Sequence, residues 1–232
     1  SAVFANNFST GNNLGGTLLI SGTGGLNFSG STFSDHTTID STGTISLGTT
    51  NLNNGKTLSL NSDASFSSLT SNSAGVVSIA IGKTMTITGD ISGNGIIRGA
   101  SPGGVGNISF TGTLAQSVDA NYQLGDGSNR LGTINISNMT SGGVSFNNDV
   151  FLTTLNFSQA SGTSKATIAS GQILDITGDI TKAVSSATAI ITGSGTVLLS
   201  GTSAQTIAAG FGSSTSDRLG ELEVNNTAGV TL

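Results

Sequence analysis

The chain has 232 residues, of which 35 are Gly, only 8% are charged, and the formal net charge is −5. So few cations argue against a nucleic-acid-binding protein, which needs clustered Lys and Arg to neutralise phosphates. The lack of Cys excludes a disulfide scaffold and thiolate chemistry, and an apolar fraction of 35% is too high for generic disorder.

Short segments in which apolar and polar residues alternate recur along the chain, and this pattern predicts β-strands. In chain order they lie at 45–47, 58–60, 79–81, 85–87, 108–110, 134–136, 155–157, 174–176 and 222–224. Gly, Asn and Asp between them, as in residues 53–55, favour turns. No window has helical spacing with capping residues, so we expect an all-β chain with almost no helix.

Alternation also predicts which side chains point inward, because every second residue of a strand faces the core. The residues expected inside are Leu58, Leu60, Ile79, Ile81, Met85, Ile87, Ile108, Phe110, Ile134, Ile136, Leu155, Phe157, Leu174 and Ile176.

The sequence repeats itself with an imperfect period of about 84–89 residues. Residues 82–91 match residues 171–180, and residues 110–118 match residues 199–207. The chain then divides into a partial copy (1–46), two copies (47–130 and 131–218) and the start of a further copy (219–232). We expect one domain over 1–232, cut from a longer array.

A long repeat made of short strands favours a right-handed parallel β-helix, or β-solenoid, with rungs of roughly 20–25 residues. Small outward Ser, Thr and Asn side chains stack well between turns, whereas stacked like charges repel. A β-sandwich is the alternative arrangement for many short strands. The sequence predicts the right-handed parallel β-solenoid.

No residue pattern points to catalysis, a cofactor or a metal, and we expect none of the three. His36 is the only His, and although Asp35 precedes it, no nucleophile-elbow motif is present. The segment 125–129 is rich in oxygen atoms but lacks the spacing of a calcium loop.

Carboxylates recur at equivalent repeat positions, as Asp90 does with Asp179, which is typical of turn formers. Asp175 replaces Thr86 in the repeat, so its position is expected to be outward and permissive. A polysaccharide lyase or a phage tailspike-like hydrolase needs paired carboxylates in one groove. Such a polysaccharide-binding or -degrading β-helix is the alternative to a non-catalytic protein.

Contacts with a partner are expected at loops of unequal length, since loops carry recognition on a rigid scaffold. The loops are 31–40, 99–106 and 120–129. Arg-Leu-Gly occurs at 130–132 and again at 218–220. We favour an Arg whose stem packs along the solenoid and whose guanidinium bonds turn carbonyls over one that binds an acidic ligand. The candidate contact residues are Asp35, His36, Asp126, Asn129, Arg130 and Arg218.

Residues 110–116, 130–138 and 142–146 resemble passenger domains of type V autotransporters. The chain is most similar to rickettsial surface antigens of the outer-membrane-protein-B kind, and filamentous-haemagglutinin-like adhesins are related. The resemblance implies a right-handed β-helix outside the cell, at the bacterial surface, acting as an adhesin or as a surface coat without catalysis.

The resemblance also implies the partners. They are a host-cell surface protein or glycan, or further copies of the chain in a coat. Attachment to the outer membrane is expected only through a C-terminal translocator barrel, which this sequence does not include.

Overall fold

The computed structural model describes residues 2–4, 8–10, 16–20, 25–100, 105–138, 142–159, 162–183, 188–208 and 221–232. All the regular elements in these ranges are strands. In chain order they are β1 (Ala2–Phe4), β2 (Phe8–Thr10), β3 (Gly16–Ile20), β4 (Leu26–Phe28), β5 (Gly30–Phe33), β6 (Thr37–Ser41), β7 (Ile45–Ser46), β8 (Thr49–Leu52), β9 (Thr57–Leu60), β10 (Ala64–Phe66), β11 (Ser68–Ile79), β12 (Thr84–Ile87), β13 (Ile91–Gly99), β14 (Asn107–Phe110), β15 (Gln116–Val118), β16 (Tyr122–Leu124), β17 (Leu131–Ile136), β18 (Val144–Phe146), β19 (Val150–Phe157), β20 (Thr163–Ile168), β21 (Ile173–Ile176), β22 (Ile180–Lys182), β23 (Thr188–Gly193), β24 (Thr196–Leu199), β25 (Gln205–Thr206), β26 (Glu221–Val224) and β27 (Val230–Thr231).

The strands stack in parallel as a β-solenoid of about 8 turns. Strands inside the stack pair with the strand one turn earlier and one turn later, as β12 does through Met85 with Ala64 and Ile108. Parallel pairing throughout the described strands excludes the β-sandwich, whose sheets are antiparallel. The all-β parallel solenoid predicted from the sequence is therefore confirmed.

Each full turn has three faces, which we number in the order in which the chain visits them. Face 1 contains β1, β4, β7, β10, β12, β14, β17, the end of β19, β22, β25 and β27. Face 2 contains β2, β5, β8, the starts of β11 and β13, β15, β18, β20 and β23. Face 3 contains β3, β6, β9, the ends of β11 and β13, β16, the start of β19, β21, β24 and β26.

The core fills the space between the three faces. The predicted inward residues are buried there, and Phe110 of face 1 meets Phe146 of face 2 edge to face, with ring centroids 5.9 Å apart. The exception is Ile81, which is 68% exposed. β11 ends at Ile79, and a turn closed by the bond from the Lys83 N–H to the Ala80 carbonyl interrupts the alternation before Ile81.

The sequence repeat does not coincide with a whole number of turns. Starting from Met85 on face 1, three turns pass through Ile108 and Ile134 to Leu155. The chain then crosses face 2 in β20 and reaches Leu174, the repeat equivalent of Met85, on face 3. Equivalent residues of successive copies therefore lie on different faces.

Candidate binding surfaces

The turn 125–130 joins face 3 to face 1 and is held by Asp126. Its Oδ1 atom accepts bonds from the N–H groups of Ser128 and Asn129 at 2.8 and 2.7 Å, and Arg98 lies 3.9 Å from Oδ2. Partial burial raises the pKa of Asp126, but the N–H groups of Asn129 and Ser128 outweigh it, so the pKa is below its usual value. The turn is preorganised, and both carboxylate oxygens of Asp126 accept hydrogen bonds from N–H groups within it.

Arg130 ends this turn and lies against face 3. Its guanidinium donates to the Asp175 carboxylate at 2.7 Å and to the Asp175 carbonyl at 3.2 Å. The same guanidinium sits 5.6 Å from the centroid of the Phe151 ring, within cation–π range. The sequence favoured an Arg that bonds turn carbonyls, whereas the carbonyl bonded here belongs to a residue of strand β21. The Asp175 carboxylate is a further partner that the sequence did not reveal.

Asp175 lies in the outward row of face 3, but it is not the permissive position that its place in the repeat suggested. It is only 7% exposed, because the Arg130 side chain covers it and the Ser200 hydroxyl donates to its Oδ1 atom. Its repeat equivalent, Thr86, lies half-buried on face 1 and has different neighbours. The prediction of a permissive position was wrong, because the substitution in the repeat does not reveal that Arg130 and Ser200 bond the Asp175 carboxylate on face 3.

Asp35 and His36 lie in the turn between β5 and β6, next to Lys56 of the following turn. Asp35 accepts a bond from the His36 N–H at 2.7 Å and lies 3.4 Å from the Lys56 ammonium. The backbone bond from His36 is the largest of the effects that lower the pKa of Asp35. The His36 ring is exposed, and its Nδ1 atom accepts from the Thr57 N–H at 3.1 Å.

Two of the three predicted loops, 31–40 and 120–129, are shorter than the sequence suggested. Strands β5 and β6 take up most of 31–40, and β16 lies inside 120–129. Residues 101–104 of the loop 99–106 lie outside the described residues, and so does Arg218. Among the residues that the structure describes, two short turns, 34–36 and 125–130, therefore remain as candidate segments for contact with a partner.

Two buried Gln side chains, which were not among the predicted site residues, join adjacent turns at the corners of the solenoid. Gln116 donates to the carbonyls of Ile87 and Gly89 at 3.1 and 2.9 Å, and its Oε1 atom accepts from the Gly112 N–H and from Asn138. The repeat of Ala-Gln at 115–116 and 204–205 was the available signal.

The second copy reproduces this arrangement at another corner. Gln205 donates to the carbonyls of Ile176 and Gly178 and accepts from the Gly201 N–H and from Asn226. Gln116 lies on face 2 and Gln205 on face 1. These Gln–Asn pairs are structural, because all of their partners are internal.

The recurrent Asp residues also join successive turns. Asp90 accepts from the Ser117 N–H at 2.7 Å, and its equivalent Asp179 accepts from the Thr206 N–H at the same distance. Asp63 bonds the N–H of Thr84 in the same way. Each carboxylate bonds an N–H group one coil further along the chain, 21 residues away for Asp63 and 27 for Asp90 and Asp179, so these contacts link successive coils and do not by themselves form a local turn.

Within the ranges that the structure describes, no three His, Asp or Glu side chains form a group that could hold a metal ion. The same ranges contain no helix of the length and apolarity needed to cross a membrane.

Comparisons with known proteins give no relationship. No protein-family model, no curated protein and no solved structure matches the chain.

Proposed function

We propose that the chain is part of an adhesin on the outside of a bacterial cell, a rigid solenoid that binds a host-cell surface protein or glycan and has no catalytic role. Support for the proposal comes from the resemblance of residues 110–116, 130–138 and 142–146 to autotransporter passenger domains, together with the parallel solenoid. The solenoid is a rigid scaffold, and the contact is made by its turns.

The observation that carries the proposal is the turn 125–130. It is fixed from within by Asp126, while the Arg98 side chain, 36% exposed, stands beside it. A fixed turn loses little conformational entropy when a partner binds, which favours affinity. The turn also joins face 3, where Arg130 anchors its end to Asp175.

Binding of the purified chain to host cells by flow cytometry tests the proposal. Residues 126–129 are replaced by Gly and Ser while Gly125 is kept, because its φ is +71° and an added Cβ would lie 2.2 Å from the Phe151 carbonyl oxygen. We expect the wild-type chain to bind and this variant to lose at least tenfold in affinity.

The matched control changes a different exposed turn, with Ser170→Gly and Gln172→Ser between β20 and β21. This control should bind like the wild-type chain. Wild-type protein that does not bind cells, or a 126–129 variant that binds as well as the wild type, would contradict the proposal.

The absence of catalysis is tested separately with acidic and neutral polysaccharides. We expect no release of oligosaccharides during prolonged incubation. Reproducible product formation would support the lyase or tailspike-like alternative instead.

A further inference from the structure

One row of outward side chains runs along face 1 without a charge. Register partners one turn apart connect its members, and none of them is buried. The row consists of Asn27, Ser46, Ser65, Thr86, Ser109, Asn135, Asn156 and Thr181. Every member carries a hydroxyl or an amide, so every member can both donate and accept a hydrogen bond.

Part of this row is already ordered by bonds between its own side chains. Asn156 donates to Asn135 at 2.8 Å, and Thr181 donates to Asn156 at 2.9 Å. These polar groups already have hydrogen-bond partners within the surface. Burying them under a partner protein therefore costs less free energy than burying polar groups that have no partner.

A second, shorter row runs beside the first. Its members are Thr84, Asn107, Thr133 and Thr154, which lie two residues before members of the first row in their strands. We call these two rows together the face 1 array. Over four successive turns the array is two side chains wide, small in relief and uncharged.

Exposed apolar side chains border the face 1 array on both sides. Ile81 and Val105 lie in the turns that enter face 1 and are 68% and 39% exposed, and they line a shallow groove with Asn107 and Thr133 of the array. Leu114, in the turn that leaves face 1, is 76% exposed. Exposed apolar residues that border one continuous surface are typical of a protein contact site.

The other two faces do not share this character. The outward row of face 2 reaches Asp119 after Ser92, and Lys165 projects from β20. On face 3, Arg98 and Asp175 lie among the outward residues. The long uncharged row and the apolar borders therefore coincide on face 1.

We propose that the face 1 array, with Ile81, Val105 and Leu114 at its borders, is a contact surface between two copies of this chain. A two-fold contact uses the same surface on both partners, so the surface must be complementary to itself. Groups that both donate and accept meet this condition, whereas a patch of one charge does not. Each copy carries a net charge of −5, and the uncharged array, whose second row is followed by Asp63 at one end and Asp179 at the other, brings two copies together with less repulsion than a charged surface.

The area of the contact surface indicates how tightly two copies should associate. From Asn27 to Thr181 the row is about 34 Å long at roughly 4.8 Å per turn, and the face with its borders is about 18 Å wide. Two copies would bury about 1,200 Å² in total, near the lower limit for specific interfaces. We therefore expect a dimer that forms in the micromolar range or above.

Sedimentation velocity of the full chain over a range of concentrations tests the proposal. The variant Ser109→Lys places a charge in the middle of the array, and Ser145→Lys places the same charge at the matching half-buried position on face 2. We expect a reversible dimer for the wild-type chain and for Ser145→Lys, and at least a tenfold weaker dimer for Ser109→Lys.

A second variant, Leu114→Ser, removes an apolar border residue without adding a charge and should also weaken the dimer. Circular dichroism confirms that each variant keeps its β-structure. The proposal is wrong if the wild-type chain stays monomeric up to millimolar concentration, or if Ser109→Lys and Ser145→Lys associate equally well. End-to-end stacking, recognised as linear chains in electron micrographs that Ser109→Lys leaves unchanged, would also overturn it.

This inference is independent of the proposed adhesin role. Ser109→Lys should bind host cells as a monomer as well as the wild-type chain does, because the turn 125–130 is intact. Loss of cell binding in the turn variant together with a normal dimer separates the two functions.

Discussion

Face 1 and face 3 are both stacks of short parallel strands with an apolar interior, but their outer surfaces differ. The central row of face 1 holds only Ser, Thr and Asn from Asn27 to Thr181. The corresponding row of face 3 includes Arg98, Phe151 and Asp175. The comparison shows that inward alternation specifies the solenoid, while the outward residues are free to give each face its own chemistry.

The largest expected effect is the difference in stability between a substitution at an inward position of face 1 and one at an outward position. Ile134→Asp would bury an unpaired charge and should lower the free energy of unfolding by on the order of 4 kcal/mol or more. Asn135→Asp, one residue further along the same strand, points outward and keeps the acceptor for Asn156, so its cost should stay below about 1 kcal/mol.

Urea unfolding followed by far-ultraviolet circular dichroism measures both variants. The fluorescence of Tyr122, the only Tyr in a chain without Trp, is a second probe from inside the core. Equal costs for the two neighbouring substitutions would mean that the inward and outward assignment of β17 is wrong.

A smaller difference in stability is expected between substitutions that affect equivalent repeat positions on face 3 and on face 1. Arg130→Ala leaves the largely buried Asp175 carboxylate without its cation and should cost about 2 kcal/mol. Thr86→Ala, at the face 1 position that corresponds to Asp175, should cost no more than about 0.5 kcal/mol. In a double-mutant cycle, Arg130→Ala and Asp175→Ala should show a coupling of about 1–2 kcal/mol, and additive costs would contradict the pairing.

The smallest effect concerns the pH dependence of stability at the turn 125–130. The pKa of Asp126 is lowered in the folded chain, so its contribution is present above the usual value of about 3.8 and is lost as the pH falls through the folded pKa. Asp126→Asn should therefore be less stable than the wild-type chain at pH 7, and this difference should shrink below about pH 3.8. Asp40→Asn, at an exposed carboxyl of face 3, is the charge-matched control and should change the stability at pH 7 by no more than about 0.5 kcal/mol.

The strands and most of the core could be predicted from the sequence because alternation is a local signal. The signal failed at Ile81, because the sequence still alternates after Ile79 although β11 ends there and a turn begins. The recurrence of the Asp residues was also visible in the sequence, but their bonds to the N–H groups of Ser117 and Thr206, each 27 residues away, depend on the register between turns of the solenoid.

The assignment of residues to faces could not be predicted, because the register partners are separated by unequal lengths of chain. Ile45 pairs with Leu26, 19 residues earlier, whereas Val118 pairs with Phe146, 28 residues later. A repeat of about 89 residues then ends on a different face from the one on which it began. Contacts such as that of Arg130 with Asp175, 45 residues apart, depend on this accumulated register.

The uncharged row of face 1 exists only if its strands have the register described above, and cross-linking tests this register directly. The natural chain has no Cys, so Ser109→Cys with Asn135→Cys places two thiols on register partners about 4.8 Å apart, within disulfide reach. In the control pair, Ser109→Cys with Thr133→Cys, the second thiol lies two residues away along β17, about 8 Å distant. We predict rapid formation of an intramolecular disulfide in the first pair and little in the second. The reverse result, with the control pair oxidising and the register pair staying reduced, would contradict the alignment of face 1.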